Sequence, residues 1–123
     1  RRRSYLPQLF SRRAEIYVKM RRFAQARTDA ERSIALARER IPAGSHAAGI
    51  GIAYLALGEA HAGEGPRAEA RASLTSALEH LEATAGAEHP AARRARVLLD
   101  RSSLANLVPG PDHPGIRTAL SPR

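Results

Sequence analysis

Apolar and small residues recur at intervals of three and four along most of the chain, which is the period of an amphipathic helix. In the first such segment they are Leu6, Phe10, Ala14, Tyr17 and Met20. Proline and glycine interrupt the pattern at intervals and so mark where helices begin and end. The pattern predicts five helices, which start near Pro7 and then span about 24–40, 46–62, 66–84 and 90–106. We therefore expect an all-α fold.

The stretch from Tyr54 to Ala77 has the pattern of a helical hairpin. Large Leu57 precedes small Gly58, the segment 63–66 (Gly-Glu-Gly-Pro) breaks the helix, and small and large residues alternate again at Ala70, Leu74 and Ala77. Small residues allow two helices to approach closely, and the large ones fill the space beside them.

The same pattern occurs 44 residues earlier in the chain. The matched pairs are Phe10/Tyr54, Ala14/Gly58, Tyr17/His61, Ala26/Ala70, Ala30/Leu74 and Ser33/Ala77. Residue size agrees at five of these six pairs, the exception being Ala30/Leu74. A further step of 44 residues leads to Leu98 and Ser102. Self-similarity at a long period is typical of a solenoid built from repeated hairpins.

These residues resemble the tetratricopeptide repeat family. Its signature is an aromatic residue, Leu-Gly and a second aromatic on one helix, followed by Ala, a bulky residue and Ala on the next. The Tyr54–Ala77 unit carries this signature with His61 in place of the second aromatic. The linkers 44–46 (Gly-Ser-His) and 86–90 (Gly-Ala-Glu-His-Pro) resemble those of the kinesin-light-chain-like subgroup, whose repeats are longer.

The resemblance implies a tetratricopeptide-like α-solenoid of two antiparallel helical hairpins and a C-terminal capping helix. We divide the chain accordingly into a basic arm (1–5), a repeat domain (6–107) and a tail rich in proline and glycine (108–123). Repeat one would span 6–41, repeat two 46–85, and the capping or half repeat 90–107. In this family the first helices line a groove that binds a protein or peptide, and the module carries out no chemistry.

Residues one turn away from the packing stripe of these first helices should face the groove. The predicted partner-binding residues are Gln8, Ser11, Glu15, Val18, Lys19, Ile52, Leu55, Glu59, Ala62, Leu99 and Ser103. Glu15 and Glu59 stand 44 residues apart and should point the same way, which would suit a basic, partly apolar ligand. An alternative for Ile52 and Leu55 is that they pack against the neighbouring hairpin.

Charge brings a second kind of partner into consideration. The chain has 20 Lys and Arg against 12 Asp and Glu, with an excess of cations at both ends and of acids between 41 and 90. This alternation does not form one continuous track for nucleic acid. An alternative function is nevertheless nucleic-acid contact through the Arg-rich first hairpin, although the repeat pattern assigns Phe10, Tyr17 and Phe23 to the core and leaves no stacking platform.

The sequence contains no pattern that indicates catalysis or a cofactor. None of the five histidines has the spacing of a metal site, and no phosphate-binding loop or nucleophile elbow is present. We therefore expect no enzyme activity, no catalytic or metal-binding residues and no cofactor. No apolar run approaches the roughly 20 residues that span a bilayer, so no membrane contact is expected.

The chain lacks cysteine and begins at Arg1. A cytoplasmic protein is the expected setting, and we interpret the chain as part of a longer protein. The resemblance implies a scaffolding module of the kind that accompanies bacterial regulators and signalling kinases. Two alternatives stay open at this point, namely a structural spacer with no groove ligand and self-association through exposed repeat ends.

Two local details are also expected, a cap on the third helix from Ser45 and a surface pair between Asp29 and Arg32.

Overall fold

The computed structural model describes residues 5–107 and the side chains up to residue 102. The predicted tail and the predicted basic arm other than Tyr5 lie outside the described residues. The described part contains five α-helices and no strand, which confirms the all-α prediction. The helices are α1 (Leu6–Lys19), α2 (Phe23–Arg38), α3 (Ala48–Glu64), α4 (Arg67–Thr84) and α5 (Pro90–Leu107).

The helix ends follow from local chemistry. Pro7 occupies the first turn of α1, where a missing N–H costs nothing. Gly65 ends α3 in the left-handed region with φ of 118°, which glycine adopts without strain. The expected cap from Ser45 is wrong, because α3 begins two residues after His46 and its N-cap residue, Ala47, makes no side-chain cap bond.

Each helix packs on the next one along the chain, and the contact between α3 and α4 is the most extensive. The alternate helices also meet, α1 with α3 and α3 with α5. Within the described residues α1 and α2 make no contact with α5. The helices are therefore arranged in chain order, with α3 in contact with all the others.

Burial repeats with the 44-residue period that the sequence predicts. Ala14 and Gly58 are both buried, as are the pairs Ala26/Ala70, Ala30/Leu74 and Ser33/Ala77. The aromatic pairs Phe10/Tyr54 and Tyr17/His61 are half-buried in both units. The degree of burial is thus the same within each of the six pairs, including Ala30/Leu74, where residue size differs.

Two apolar clusters form the core. In one, Leu57 and Ala56 of α3 pack with Ala14 of α1 and Ala30 of α2. The other joins α3, α4 and α5 through the buried residues Leu55, Leu74, Ala77, Leu81, Ala92 and Ala95. Tyr54 packs against both clusters and so connects them.

Polar side chains add connections between helices. Asp29 of α2 is buried and accepts two hydrogen bonds from Arg13 of α1, at 2.6 Å and 3.0 Å. The expected surface pair between Asp29 and Arg32 is therefore wrong, because Asp29 faces the other helix of its hairpin. Arg27 of α2 donates to Glu64 of α3 at 2.9 Å, which connects the two hairpins.

Candidate partner-binding groove

The alternate helices α1, α3 and α5 border a groove with two depressions. The first depression, about 650 Å³, lies between the N-terminal halves of α1 and α3. The second depression, about 770 Å³, lies where α3 meets the C-terminal end of α1 and the middle of α5. Both are open to solvent along one side and would admit an extended chain rather than enclose a small molecule.

Four predicted residues line the first depression, namely Gln8, Ser11, Glu15 and Ile52. The Ser11 hydroxyl donates to the Gln8 carbonyl at 3.1 Å, and only 7% of the residue is exposed. It therefore supports the α1 backbone and offers little to a ligand. Tyr5, which is 76% exposed, and Leu9, which is 58% exposed, add apolar surface that the sequence analysis did not assign to the groove.

Glu15 lines the first depression, and the pKa of its carboxyl is raised. Partial enclosure raises the pKa of its carboxyl, Arg12 and Lys19 oppose the rise, and Glu59 adds to it by repulsion. Glu15 and Glu59 therefore lie close enough to interact, although Glu15 lines the first depression and Glu59 the second.

Four other predicted residues, Val18, Lys19, Glu59 and Ala62, line the second depression. Gly58 and Leu74 form part of its wall, and Leu98 of α5 contributes to the opposite side. The predicted residues are therefore divided between two depressions and do not form one continuous site.

The second depression is strongly cationic. Its lining contains five cationic side chains and one carboxylate. The cations are Lys19, Arg21, Arg67, Arg94 and Arg101, and the carboxylate is Glu59. Arg94 of α5 is ion-paired with Glu59 of α3, whose side chain is 14% exposed. The one acidic group of this depression is therefore already neutralised by the protein itself.

Arg21 has an unusual backbone conformation beside this depression. Its φ is 61°, in the left-handed region that costs a residue with a β-carbon about 1 kcal/mol or more. Its guanidinium lies 5.3 Å from the centre of the Phe23 ring. Phe23 in turn packs against Gly63, where an added β-carbon would come within 2.5 Å of the ring. The turn between α1 and α2 thus fixes one cation at the edge of the groove.

Three predicted residues line neither depression. Leu55 is 9% exposed and lies in the core cluster of α3, α4 and α5. Leu99 packs against the same cluster. Both positions match packing between helices, which was the alternative held open for Ile52 and Leu55, and Ile52 also packs partly against this cluster. The side chain of Ser103 lies outside the described residues.

Sequence reasoning missed the contribution of α5. Arg94, Leu98, Arg101 and Ser102 line the second depression, whereas the sequence analysis named only Leu99 and Ser103 from this helix. A signal was present, because Leu98 and Ser102 occupy the third step of the 44-residue period. The apolar pattern of α5 is too weak to show which side of the helix faces the groove. The predicted residues, Leu99 and Ser103, therefore each follow by one position the residues that line it, Leu98 and Ser102.

Other site chemistries find little support in the described part of the chain. No cluster of three His, Asp or Glu side chains there is placed to hold a metal ion. None of the described helices combines the length and apolar character needed to cross a bilayer. Comparison of the sequence and the structure with protein-family models, curated proteins and solved structures finds no match.

Proposed function

We propose that this chain is a protein-interaction module of the tetratricopeptide type, which binds an extended acidic segment of a partner protein in the groove along α1, α3 and α5. The observation that carries the proposal is the second depression, an open groove whose lining holds Lys19, Arg21 and Arg101 beside the ion pair of Arg94 with Glu59. The repeat of burial at 44-residue intervals supports the solenoid arrangement on which such a groove depends.

The charges favour an acidic ligand over a basic one. The sequence suggested a basic ligand because the 44-residue spacing of Glu15 and Glu59 predicts that they point the same way. Glu59 is held by Arg94, however, and Glu15 lies between Arg12 and Lys19. An incoming acidic segment would meet an excess of positive charge, and complementarity of this kind determines specificity and association rate. Val18, Ala62 and Leu98 supply apolar surface for side chains between the acids.

The aromatic rings of the first hairpin favour a peptide over single-stranded nucleic acid. Arginines lie over them: Arg13 is 5.6 Å from the centre of the Phe10 ring and 5.7 Å from that of Tyr17. Phe10 also carries Arg32 at 5.1 Å. Bases that stack on a protein need an accessible aromatic face, and these rings are both half-buried and already in contact with cations.

Binding of short synthetic peptides tests the proposal. We expect a leucine-containing acidic peptide to bind the full chain, and its lysine counterpart not to bind. The double variant Lys19→Glu/Arg101→Glu should weaken binding by about tenfold or more, which corresponds to roughly 1.4 kcal/mol. Fluorescence anisotropy at low and moderate salt measures both quantities, since moderate salt should weaken a charged contact.

A matched control distinguishes the loss of a contact in the groove from a general effect of the protein's net charge on binding. The variant Arg22→Glu/Arg40→Glu makes the same change in charge at two exposed residues that line neither depression. We expect it to retain most of the affinity. Equal losses in both double variants, or equal binding of the acidic and lysine peptides, would contradict a specific groove.

The outer face of α1 supports a second candidate function, self-association. Leu6, Leu9 and Ile16 on this face are each at least 50% exposed. Their counterparts 44 residues later, Ile50, Ala53 and Ala60, are at most 1% exposed. A face that is buried in one unit and exposed in the other has the character of an unpaired packing surface.

Mass measurement in solution tests this second candidate. Light scattering at increasing protein concentration should show association, and the double variant Leu6→Asp/Ile16→Asp should abolish it because charge would then be buried at the contact. A monomer at every concentration would remove self-association and leave the proposed groove function unaffected.

A further inference from the structure

A buried histidine of α4 makes a hydrogen bond to the segment between the two hairpins. His80 is 5% exposed, and its Nδ1 accepts a hydrogen bond of 3.1 Å from the backbone N–H of Ala47. Ala47 is the N-cap residue of α3 and has no side-chain cap of its own. His80 therefore holds the start of α3 from a neighbouring helix.

The hydrogen bond fixes the tautomer of the ring. Because Nδ1 accepts from Ala47, the neutral ring carries its proton on Nε2. Nε2 lies 3.4 Å from Nη2 of Arg38, so two donor groups face each other there. The Ala47 bond is therefore the hydrogen bond by which the ring holds the linker.

Every element packed against His80 brings a further group to it. His46 of the linker meets the ring edge-on, with centroids 4.9 Å apart, and Tyr54 of α3 stacks on it at 5.8 Å. Arg38 comes from α2, and Glu79 is its acidic neighbour on α4. Burial lowers the pKa of His80 most strongly, His46 and Arg38 lower it further, and Glu79 opposes them.

Protonation would reverse the contact with the linker. A proton on Nδ1 replaces the acceptor with a donor that faces the Ala47 N–H, so the bond cannot persist. The new positive charge would lie beside Arg38 and at the N-terminus of α3, where the helix dipole disfavours cations. The lost hydrogen bond, the repulsion from Arg38 and the helix dipole therefore all disfavour the protonated ring. The negative charge of Glu79 favours it.

We propose that His80 is a pH-sensitive latch, which in its neutral form holds the linker and the first turn of α3 on α4 and on protonation releases them. The first turn of α3 carries Gly49 and leads to Ile52, and both residues line the first depression. Release would therefore alter this half of the groove and loosen the contact between the two hairpins. The latch does not depend on the proposed function, because it involves no ligand.

The direction of the pH dependence follows from the lowered pKa. A histidine in the unfolded chain titrates near 6.5, so the unfolded state binds the proton first as pH falls. The stabilisation by neutral His80 is complete above that value and is lost as pH falls through the lower pKa of the folded state. Acidification is thus the signal that opens the latch.

Amide hydrogen exchange of the full chain tests the latch directly. As pH falls from the pKa of a free histidine to the lower folded pKa of His80, we expect protection of the Ala47 amide to fall by up to about tenfold per pH unit, after correction for the intrinsic rate, and to level off below the folded pKa. NMR titration of the His80 ring should give a pKa below that of a peptide histidine. Unchanged protection of Ala47 during titration of His80, or an ordinary or raised pKa of the ring, would overturn the proposal.

Two variants add an independent comparison. In His80→Asn the side-chain oxygen can accept from Ala47 without titrating, so the fall in melting temperature between about pH 7.5 and about pH 5.5 should shrink. His46→Gln removes one of the groups that lower the pKa of His80, so we expect it to reduce the pH dependence only in part. If His80→Asn folds and responds to pH as the wild type does, the latch is contradicted. If His80→Asn does not fold, the exchange and titration data on the wild-type chain decide the question.

Discussion

Single glycines of α3 show how one β-carbon decides the approach of two helices. A β-carbon at Gly51 would lie 2.7 Å from Cγ of Leu81 and 3.2 Å from the Ala77 carbonyl oxygen. One at Gly49, two residues earlier, would meet nothing within 4 Å. The same residue type thus has a steric role at one position and none at the other.

This contrast predicts opposite effects of one substitution. Gly49→Ala should raise the free energy of unfolding by up to about 1 kcal/mol, because alanine is the better helix former. Gly51→Ala should lower it by about 1–2 kcal/mol, since overpacking against a buried leucine and a backbone carbonyl outweighs the helix propensity. Urea denaturation of both variants measures the difference. A gain in stability at Gly51 would show that α3 and α4 can move apart freely.

At the scale of helices, polar bonds determine how the elements of a hairpin are aligned. The Asp29 carboxylate is 6% exposed and is paired through two bonds with Arg13 of α1. The Ser33 hydroxyl donates to the Pro7 carbonyl at 2.6 Å and fixes the start of α1 on the same helix. These bonds lie across the hairpin, so they constrain register as well as distance.

Loss of the Asp29 carboxylate should therefore destabilise the first hairpin. Asp29→Ala leaves Arg13 without its partner and a gap between α1 and α2, and we expect the melting temperature to fall by several degrees. Glu31→Gln, an exposed acid on the same helix, is the matched control and should change it little. Thermal unfolding followed by circular dichroism measures both. Equal melting temperatures for the two variants would mean that the pair contributes no net stability, as is common for exposed ion pairs.

For the whole molecule, the sequence predicted the number, order and approximate bounds of the helices. This was possible because helix period and the glycine and proline breaks are local signals. The 44-residue period also predicted which positions are equivalent, and burial agrees at each pair from Phe10/Tyr54 to Ser33/Ala77.

Charge and rotation of the helices were harder to predict than their bounds. The pairing of Glu59 with Arg94 joins residues 35 positions apart and occupies the carboxylate that was expected to meet a basic ligand, and no local pattern indicates it. Asp29 has the pattern of a surface residue on α2, and its burial depends on Arg13 from α1. Leu55 is buried in the cluster of α3, α4 and α5, whereas Ile52, three residues earlier, packs only partly against this cluster and also lines the first depression. These features depend on neighbouring helices, which the sequence does not place.

Chemical-shift mapping of the full chain during titration with a leucine-containing acidic peptide tests most directly whether an acidic segment binds in the groove. We expect the amides of Lys19, Ala62 and Leu98 to shift together, because their side chains line the second depression. Exposed positions such as Glu31 of α2 and Thr75 of α4 line neither depression and should not shift. Shifts confined to α2 and to residues of α4 that line neither depression, or no shift with acidic peptides, would contradict binding in the groove.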